Sequence, residues 1–422
     1  MIAANNPMLR SWISVPEGSD FPIQNLPFGV VKSTGSDPFV ATRIGDTVID
    51  IAYLVELGLL NVSGFTSSDF RQAFLNPMMK KGKEATRQLR QALSDLFSAE
   101  NTTARDHVDM HQALHAISGV EMCMPVQIGD YTDFYSSKEH ATNVGIMFRD
   151  PANALLPNWL WIPVGYHGRS SSVIISGQDI HRPKGQIKPD DNEPPIYAAS
   201  RQVDFELEMG FITYDGKPLG DSISTDEAEK YIFGMCLFND WSARDIQKWE
   251  YVPLGPFLAK NFASSISCWI VTLDALQPFA VETPDQDPAV LSYLKFEGNK
   301  SYDIHLQVGL TPEHASEKII CNSNFKYMYW NMSQQLAHHT VNGCNVRCGD
   351  LMGSGTISGS TPDSFGSMLE LAWKGTKPLI MNDGTERRFI QDGDTVTMRG
   401  FCQNEHVRIG FGEVTAKILP AK

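Results

Sequence analysis

The chain has 422 residues, of which 42% are hydrophobic and 20% charged, so it is long enough for a large core and more than one domain. Its net charge of -14 argues against nucleic acid as the main partner, because phosphate contacts need a basic surface. The first residues show no basic leader, and no window approaches about 18 consecutive apolar residues, so we expect no membrane partner and a cytosolic location. Seven cysteines, an odd number, favour reduced thiols over a disulfide framework.

The N-terminal part of the chain has the pattern of a small β domain followed by a helix. Short apolar runs at residues 28–31 and 47–51 are separated by Gly and Pro, which is typical of a small β-barrel or β-roll. Residues 80–98 place leucines at helical spacing among Lys, Arg and Gln, which predicts an amphipathic helix with a solvated charged face.

Beyond this helix the pattern changes to short strands with few long helical periods. Residues 172–176 and 395–400 are examples of such strands. We therefore predict a mainly β protein with some α-helix. Residues 1–120 would form the N-terminal β domain with its helical linker, and residues 121–422 a larger β-rich domain.

A histidine is predicted just inside the start of a helix. Ser136 and Glu139 have the spacing of a capping box, which places His140 in the first helical turn. Asp133 precedes His140 by two helical turns or less, so a metal-bound substrate and a general base could share one pocket. The alternative is a core or surface histidine without a catalytic role.

Two carboxylates, Glu206 and Glu208, alternate with apolar residues in the segment 205–209. Side chains of a strand alternate between its faces, so both carboxylates should point to the same side. Like charges held side by side favour a cation between them, and an oxygen-rich site suits calcium or magnesium better than zinc. The alternative is an amphipathic strand with its acidic face in water.

A fourth carboxylate, Asp240, directly follows a strand-like apolar run, so three separate segments offer four acids with Asp133 among them. From Asp240 onward, Arg244, Gln247 and Tyr251 recur at intervals of four, three and four, which predicts one face of a helix. This face either borders a cavity or is the polar side of a surface helix.

Glu370 is a lone acid that interrupts an apolar, strand-like segment at residues 367–373. A buried carboxylate needs a partner. That partner is either His140, which the acid would hold in one tautomer, or an Arg or Lys in a structural ion pair.

Several long blocks of rare residues resemble the fumarylacetoacetate hydrolase family. The most specific blocks are residues 128–137, 163–169, 239–256 and 355–359. The resemblance implies the fumarylacetoacetate hydrolase fold, with a small N-terminal SH3-like β-barrel and a larger C-terminal mixed β-sandwich roll. It also implies a homodimer.

The resemblance further implies roles for individual residues. Calcium would be held by Asp133, Glu206, Glu208 and Asp240, and in some members magnesium is placed by Asp240, Lys260 and the hydroxyl position that is Ser264 here. His140 would be the base, oriented by Glu370, and Arg244, Gln247 and Lys260 would stabilise oxyanion charge. The substrate would contact Tyr135, Arg149, Tyr166, Gln247, Tyr251 and Thr356. Two departures are Ser264, where the family commonly has Thr, and Cys348, where it commonly has Pro.

The activity implied by the resemblance is hydrolysis of the carbon–carbon bond of 4-fumarylacetoacetate to fumarate and acetoacetate, the last step of tyrosine and phenylalanine catabolism. A metal-chelated diketone and a water activated by His140 and Glu370 would carry it. One alternative is an acylpyruvase or β-keto-acid decarboxylase of the same fold, against which the full-length likeness argues. Another is a catalytically silent calcium-binding or scaffold protein, which the presence of His140, Glu370 and Lys260 disfavours.

Overall fold

An antiparallel sheet of five strands forms the N-terminal part of the computed structural model, which describes residues 2–422. Its strands are β1 (Phe28–Ser33), β2 (Phe39–Ile44), β3 (Thr47–Asp50), β4 (Leu114–Ala116) and β5 (Val120–Met122), in the order β4-β3-β2-β1-β5. Four helices accompany this sheet: α1 (Ile51–Glu56), α2 (Asn76–Met79), α3 (Lys83–Phe97) and α4 (Thr102–Arg105). Helix α3 confirms the amphipathic helix predicted for residues 80–98, with Leu89 and Leu93 buried.

The remaining elements belong to a larger β-rich part. Its strands are β6 (Tyr131–Phe134), β7 (Gly165–His167), β8 (Val173–Ile175), β9 (Ile180–His181), β10 (Lys184–Ile187), β11 (Ile196–Ala199), β12 (Val203–Asp204), β13 (Leu207–Thr213), β14 (Ile232–Asp240), β15 (Ser242–Ala243), β16 (Ser264–Ile266), β17 (Val271–Thr272), β18 (Ala280–Val281), β19 (Ser301–Tyr302), β20 (His305–Thr311), β21 (Lys318–Asn324), β22 (Leu351–Gly353), β23 (Leu379–Ile380), β24 (Glu386–Arg387), β25 (Thr395–Gln403) and β26 (Arg408–Leu419). Its helices are α5 (Lys138–Phe148), α6 (Arg244–Glu250), α7 (Leu273–Leu276), α8 (Met332–Thr340) and α9 (Met368–Leu371).

Two large sheets organise this part. The first has eight strands in the order β7-β6-β22-β13-β14-β16-β8, with β17 also paired to β14. It is mixed, because β6 runs parallel to β22 and β8 parallel to β16 while the other pairs are antiparallel. The second sheet has the order β21-β20-β25-β26-β9. Pairs β10–β11, β12–β15, β18–β19 and β23–β24 form short two-stranded sheets.

The eight-stranded sheet is covered on both faces. One core joins Leu207 and Leu237 of this sheet to Leu306 and Val414 of the second sheet. On the opposite side, Phe233 contacts residues of the N-terminal sheet, including Phe28, whose ring centroid lies 6.0 Å away. This double burial explains why β13 and β14 read as nearly continuous apolar runs, so that any acid within them stands out.

The predicted fold class is confirmed: the protein is mainly β with some helix, a barrel-like N-terminal domain and a larger mixed β domain. The division of the chain after residue 120 stays a prediction. Within residues 2–422, the structure contains no helix with both the length and the apolar character that a membrane span needs.

Candidate active site

Four buried carboxylates meet at one end of the eight-stranded sheet. Asp133 lies on β6, Glu208 on β13 with Glu206 just before it, and Asp240 ends β14. One oxygen from each residue lies within 4.8 Å of the others. The structure thus brings together the three acidic segments, and the cluster could hold a metal ion.

The alternation of side chains along β13 produces this arrangement. Leu207 and Met209 point into the core between the two large sheets, whereas Glu208 lies on the opposite face with Glu206. The period-two prediction for this segment is therefore confirmed. The acidic side is buried, with Glu208 fully closed to solvent, so the alternative of a solvated acidic face is wrong.

The donor atoms fit a hard divalent cation. Within residues 2–422, Asp133 Oδ1 and Glu208 Oε1 are buried without a hydrogen-bond partner. An unpartnered buried oxygen is costly, and a cation that accepts oxygen ligands would remove this cost. Gly353, opposite Asp133 in the sheet, leaves the space open, because a Cβ there would lie 2.8 Å from Asp133 Oδ1 and 3.1 Å from Glu208 Oε2.

The Gly353→Ala substitution should therefore weaken metal binding without unfolding the protein. Its methyl group would push both carboxylates from the positions in which they converge. Isothermal titration of calcium into the chelated variant should show an affinity at least about tenfold lower, a loss of the size caused by disturbing the groups around a site. Unchanged calcium affinity would contradict a cation in this space. The Gly119→Ala substitution, at a position with open space around it and an ordinary backbone φ, is the control.

Burial and neighbouring charges shift the pKa values of three of the four acids in different directions. Burial raises the pKa values of Asp133 and Glu208 well above the ordinary carboxylate range, and neighbouring acids raise them further. Burial also opposes the ionisation of Glu206, but Lys260 and Arg244 outweigh it and lower the pKa of Glu206. Without a cation, two of the four acids therefore tend to keep their protons.

These shifts predict a pH dependence of the metal-free protein. Asp133 and Glu208 have a higher pKa in the folded protein than in the unfolded chain, where a carboxyl has a pKa of about 4. Their contribution to the stability of the fold is therefore present below about pH 4 and is lost as the pH rises through the folded pKa. The pKa of Glu206 is shifted downward, so Glu206 titrates below this window. The melting temperature in chelator should fall as the pH rises above about 4, and the increase caused by calcium should grow with it, because binding requires ionised carboxylates. A calcium-induced shift independent of pH would contradict this assignment.

Two buried cations pair with the acids. Lys260 Nζ lies 2.5 Å from Glu206 Oε2 and 2.6 Å from Asp240 Oδ2. Arg244 at the start of α6 contacts Asp204 Oδ2 through Nε at 2.8 Å and Glu206 Oε1 through Nη1 at 2.7 Å. Arg244 Nη2 is buried and has no partner among residues 2–422, so one guanidinium donor remains free for a ligand.

His140 and Glu370 form a second buried unit. His140 Nδ1 lies 2.7 Å from Glu370 Oε2. The partner of Glu370 is therefore His140, and not an Arg or Lys in a structural ion pair. Glu370 also accepts hydrogen bonds from Asn143 Nδ2 and from the hydroxyls of Ser358 and Ser367. Burial opposes the ionised form of Glu370, but His140 and these donors lower its pKa. An ionised carboxylate thus fixes the imidazole in one orientation.

Two local predictions around this pair need correction. Ser137, and not Ser136, caps helix α5: its hydroxyl accepts from the His140 N–H at 3.2 Å, while the Ser136 hydroxyl accepts from Gln335. His140 still lies in the first turn, as predicted. Glu370 lies in the short helix α9 and not on a strand, because the Ser367 hydroxyl caps this turn.

The predicted polar helix is shorter than expected. Asp240 ends β14, because it pairs with Ser264 of β16, and the helix begins only at Arg244. Asp240 therefore does not share the helical face of the following residues. Its carboxylate nevertheless reaches the same site, where it accepts from Ser264 Oγ at 2.8 Å and from the Tyr166 hydroxyl at 3.0 Å.

The residues expected to contact substrate differ in burial: some lie inside the site and others are exposed. The Tyr135 ring meets the His140 ring edge-on, with centroids 5.3 Å apart, and Gln247 Oε1 accepts from Arg244 Nη1 at 3.2 Å. Thr356 is buried, and its hydroxyl has no partner within residues 2–422.

The other two expected contacts, Arg149 and Tyr251, are exposed. Arg149 donates to the carbonyl of Ala154, although its charge still lowers the pKa of Tyr135, which burial raises. Tyr251 is 54% exposed and lies at the end of α6.

Neither departure from the family pattern removes a functional group. Ser264 supplies the hydroxyl that holds Asp240. Cys348 is buried near Asn76, and burial raises the pKa of its thiol to about 12, so the thiol stays protonated at neutral pH.

Sequence reasoning missed four residues that support the site: Asn143, Asp204, Ser358 and Ser367. Asn143 lies three residues after His140, so helical spacing could have identified it. Ser358 lies in the family block 355–359. Asp204 carries no comparable signal, because its partners lie far away in the sequence.

The fold and the site together define the class of the protein: an enzyme of the fumarylacetoacetate hydrolase fold, with a carboxylate cluster that could hold a metal ion and a histidine–glutamate pair. The model of the fumarylacetoacetate (FAA) hydrolase C-terminal domain matches residues 130–419, and that of the fumarylacetoacetase N-terminal domain matches residues 24–125.

Curated relatives agree with these matches. Fumarylacetoacetase of Homo sapiens is 52% identical over 414 residues, covering 97% of this chain and 99% of the relative. Fumarylacetoacetase of Dictyostelium discoideum is 52% identical over 421 residues, covering 98% and 99%. A solved fumarylacetoacetate hydrolase from psychrophilic Exiguobacterium antarcticum has a TM-score of 0.53 at 15% identity, covering 94% of this chain and 100% of that one, and supports the fold alone. The chain belongs to the fumarylacetoacetase family.

Proposed function

We propose that the protein hydrolyses 4-fumarylacetoacetate to fumarate and acetoacetate, the reaction of tyrosine and phenylalanine catabolism. The observation that carries this proposal is the buried contact between His140 and Glu370. The same site holds the four carboxylates and the side chains of Arg244 and Lys260, which are both paired with Glu206. Full-length identity of about one half to curated fumarylacetoacetases supports the substrate.

His140 acts as the general base. Glu370 engages Nδ1, so Nε2 is the nitrogen that accepts a proton from water. The water attacks the carbonyl carbon of the fumaryl group, and the bond from that carbon to the acetoacetate methylene breaks. The electron pair of this bond leaves with acetoacetate as an enolate, which takes the proton back from the imidazolium, so that fumarate and acetoacetate are released. Glu370 is ionised and stabilises the imidazolium that forms, as the acid does in a hydrolytic triad.

Lys260 and Arg244 supply fixed positive charge. Burial alone would lower the pKa of Lys260, but Asp240 and Glu206 raise it, so its amine is an ammonium. An ammonium has no lone pair, so Lys260 acts beside the carboxylates as a counter-charge and not as a metal ligand. The free Nη2 of Arg244 is the donor placed for a developing oxyanion, with Gln247 beside it on α6.

The cation held by Asp133, Glu206, Glu208 and Asp240 is calcium in this proposal, with magnesium as the alternative. A divalent cation in the cluster would supply Lewis acidity to the diketone oxygens of the substrate. Ser264 orients Asp240 through its hydroxyl. The substrate's remaining carbonyl and carboxylate groups contact Tyr135, Arg149, Tyr166, Tyr251 and Thr356.

A comparison of substrates tests the proposed reaction against its nearest alternative. The purified protein with calcium is assayed with fumarylacetoacetate, an acylpyruvate and a β-keto acid, and kcat/KM is measured for each. We expect fumarylacetoacetate to be preferred by at least about 10²-fold, the discrimination that a site achieves when its buried polar groups need partners. Preference for either other substrate would replace the proposed function with an acylpyruvase or decarboxylase.

The location and assembly of the protein complete the proposal. All seven cysteines are free, which supports a reducing compartment such as the cytosol. A homodimer is supported by exposed apolar side chains in the loop after α6, where Leu254 is 96% and Phe257 67% exposed. Light scattering should give twice the chain mass of 46.9 kDa, and a monomer at micromolar concentration would contradict the dimer.

A further inference from the structure

Asp204 is fully buried and lies between two functional parts of the site. It belongs to the short strand β12, which pairs with β15 directly before α6. Neither proton transfer by His140 nor charge stabilisation by Arg244 and Lys260 directly involves this carboxylate. The carboxylate nevertheless uses both of its oxygens for groups that are part of the machinery.

Three donors converge on Asp204. Its Oδ2 accepts from Arg244 Nε at 2.8 Å and from the backbone N–H of Leu369 at 3.0 Å, and its Oδ1 accepts from the Met368 N–H at 2.7 Å. Met368 and Leu369 are the first two residues of α9, and the third residue is Glu370. One carboxylate therefore connects the guanidinium of Arg244 to the helical turn that holds His140.

The backbone of Asp204 is itself held in place. Asp204 pairs with Ser242, and Gln202 accepts a hydrogen bond from the Arg244 N–H at 2.9 Å. On the other side, Val203 accepts from the N–H of Ile390 at 2.9 Å. The carboxylate thus projects from a fixed backbone position, so it can transmit that position to both partners.

Arg244 shows what this contact achieves. Asp204 takes Nε and Glu206 takes Nη1, which turns the planar guanidinium so that Nη2 is left without a partner in the described structure. Without Asp204, only Glu206 and Gln247 would hold the group, and its plane could rotate about the remaining contacts.

We propose that Asp204 is a positioning residue that fixes the geometry between Arg244 and the His140–Glu370 pair. This inference rests on the proposed function, which gives Arg244 and His140 their roles. Misplacing a reacting or stabilising group by about 1 Å can cost about 10²-fold in rate. The effect should fall on kcat, because the oxyanion and the imidazolium develop only in the transition state.

The Asp204→Asn substitution tests the proposal. The amide keeps the shape but places an NH₂ group against at least one of the three donors, so at least one contact is lost. We expect kcat to fall about 10–100-fold with KM changed less than about threefold. We also expect the NMR resonance of the His140 ring N–H, assigned by its absence in the His140→Ala variant, to shift or broaden.

Asp394→Asn is the matched control. Asp394 is equally buried, and it binds Arg387 through Nε and Nη2 at 2.8 and 2.9 Å and the Gln391 N–H at 2.9 Å, outside the site. This variant should lose stability but keep kcat per folded molecule and the His140 resonance. An Asp204→Asn variant that behaves like Asp394→Asn, with kcat and the resonance unchanged, would overturn the proposal.

A second variant covers the case in which Asp204→Asn does not fold. Asp204→Glu keeps the charge but moves the carboxylate by one methylene, so it should fold with a lower kcat and a shifted resonance. Wild-type values of both quantities would overturn the proposal. If the wild-type protein does not hydrolyse fumarylacetoacetate, the proposed function fails, whereas the resonance still reports whether Asp204 positions the His140–Glu370 pair.

Discussion

The His140→Ala variant should lose about 10²–10⁴-fold in kcat, the usual contribution of a positioned general base. His140 is buried, and Glu370 fixes its Nδ1, so the substitution removes the ring nitrogen that takes the proton from water. The pair with Glu370 is also the feature that separates this site from a simple calcium-binding cluster.

Metal binding should survive this substitution. His140 is not among the four residues whose oxygens converge, so calcium affinity measured by titration should stay within about threefold of the wild type, well below the loss expected for a disturbed ligand shell. Loss of calcium together with activity would contradict the assigned role. His338→Ala, which removes a half-buried histidine bonded to Tyr293 elsewhere in the domain, is the control and should keep full activity.

The Lys260→Met variant should show the second large effect, on both rate and stability. Lys260 is shared by Glu206 and Asp240, and methionine keeps the volume of the stem but removes the charge. Removing a preorganised cation from a dry site typically costs about 10²–10³-fold in kcat. Breaking a buried ion pair from one side also costs about 3–5 kcal/mol, because the carboxylates are left unpaired.

Calcium should separate these two effects. In chelator, the free energy of unfolding from denaturant titration should fall by the amount expected for the unpaired acids. Added calcium should restore part of this stability, since the cluster has lost a competing cation, but it should not restore kcat. Full recovery of kcat with calcium would mean that Lys260 only neutralises the cluster. Lys217→Met, which removes a surface pair with Glu227, should change neither quantity measurably.

The sequence predicted those parts of the site that depend on local periodicity. Glu206 and Glu208 share a face because strand alternation leaves no other arrangement, and His140 lies in a first helical turn because serine hydroxyls cap helices. The four acids could be proposed as partners because charged residues are rare within buried strands.

The remaining features depend on contacts between distant segments. Asp240 stays in a strand because β16 pairs with it, which overrides the helical spacing that starts at this residue. Glu370 is helical because Ser367 and Asp204 satisfy the N–H groups of its turn. Asp204 and Arg244 are forty positions apart, so nothing local shows that they touch.

Product formation by chelated and calcium-reconstituted wild-type protein tests whether the protein is a metal-dependent fumarylacetoacetate hydrolase. The disappearance of fumarylacetoacetate absorbance is followed, and fumarate and acetoacetate are quantified at the end of the reaction. Chelated protein should be inactive, and calcium should restore turnover with one fumarate and one acetoacetate formed per substrate consumed. Substrate that persists in the presence of folded, calcium-loaded protein would contradict this activity.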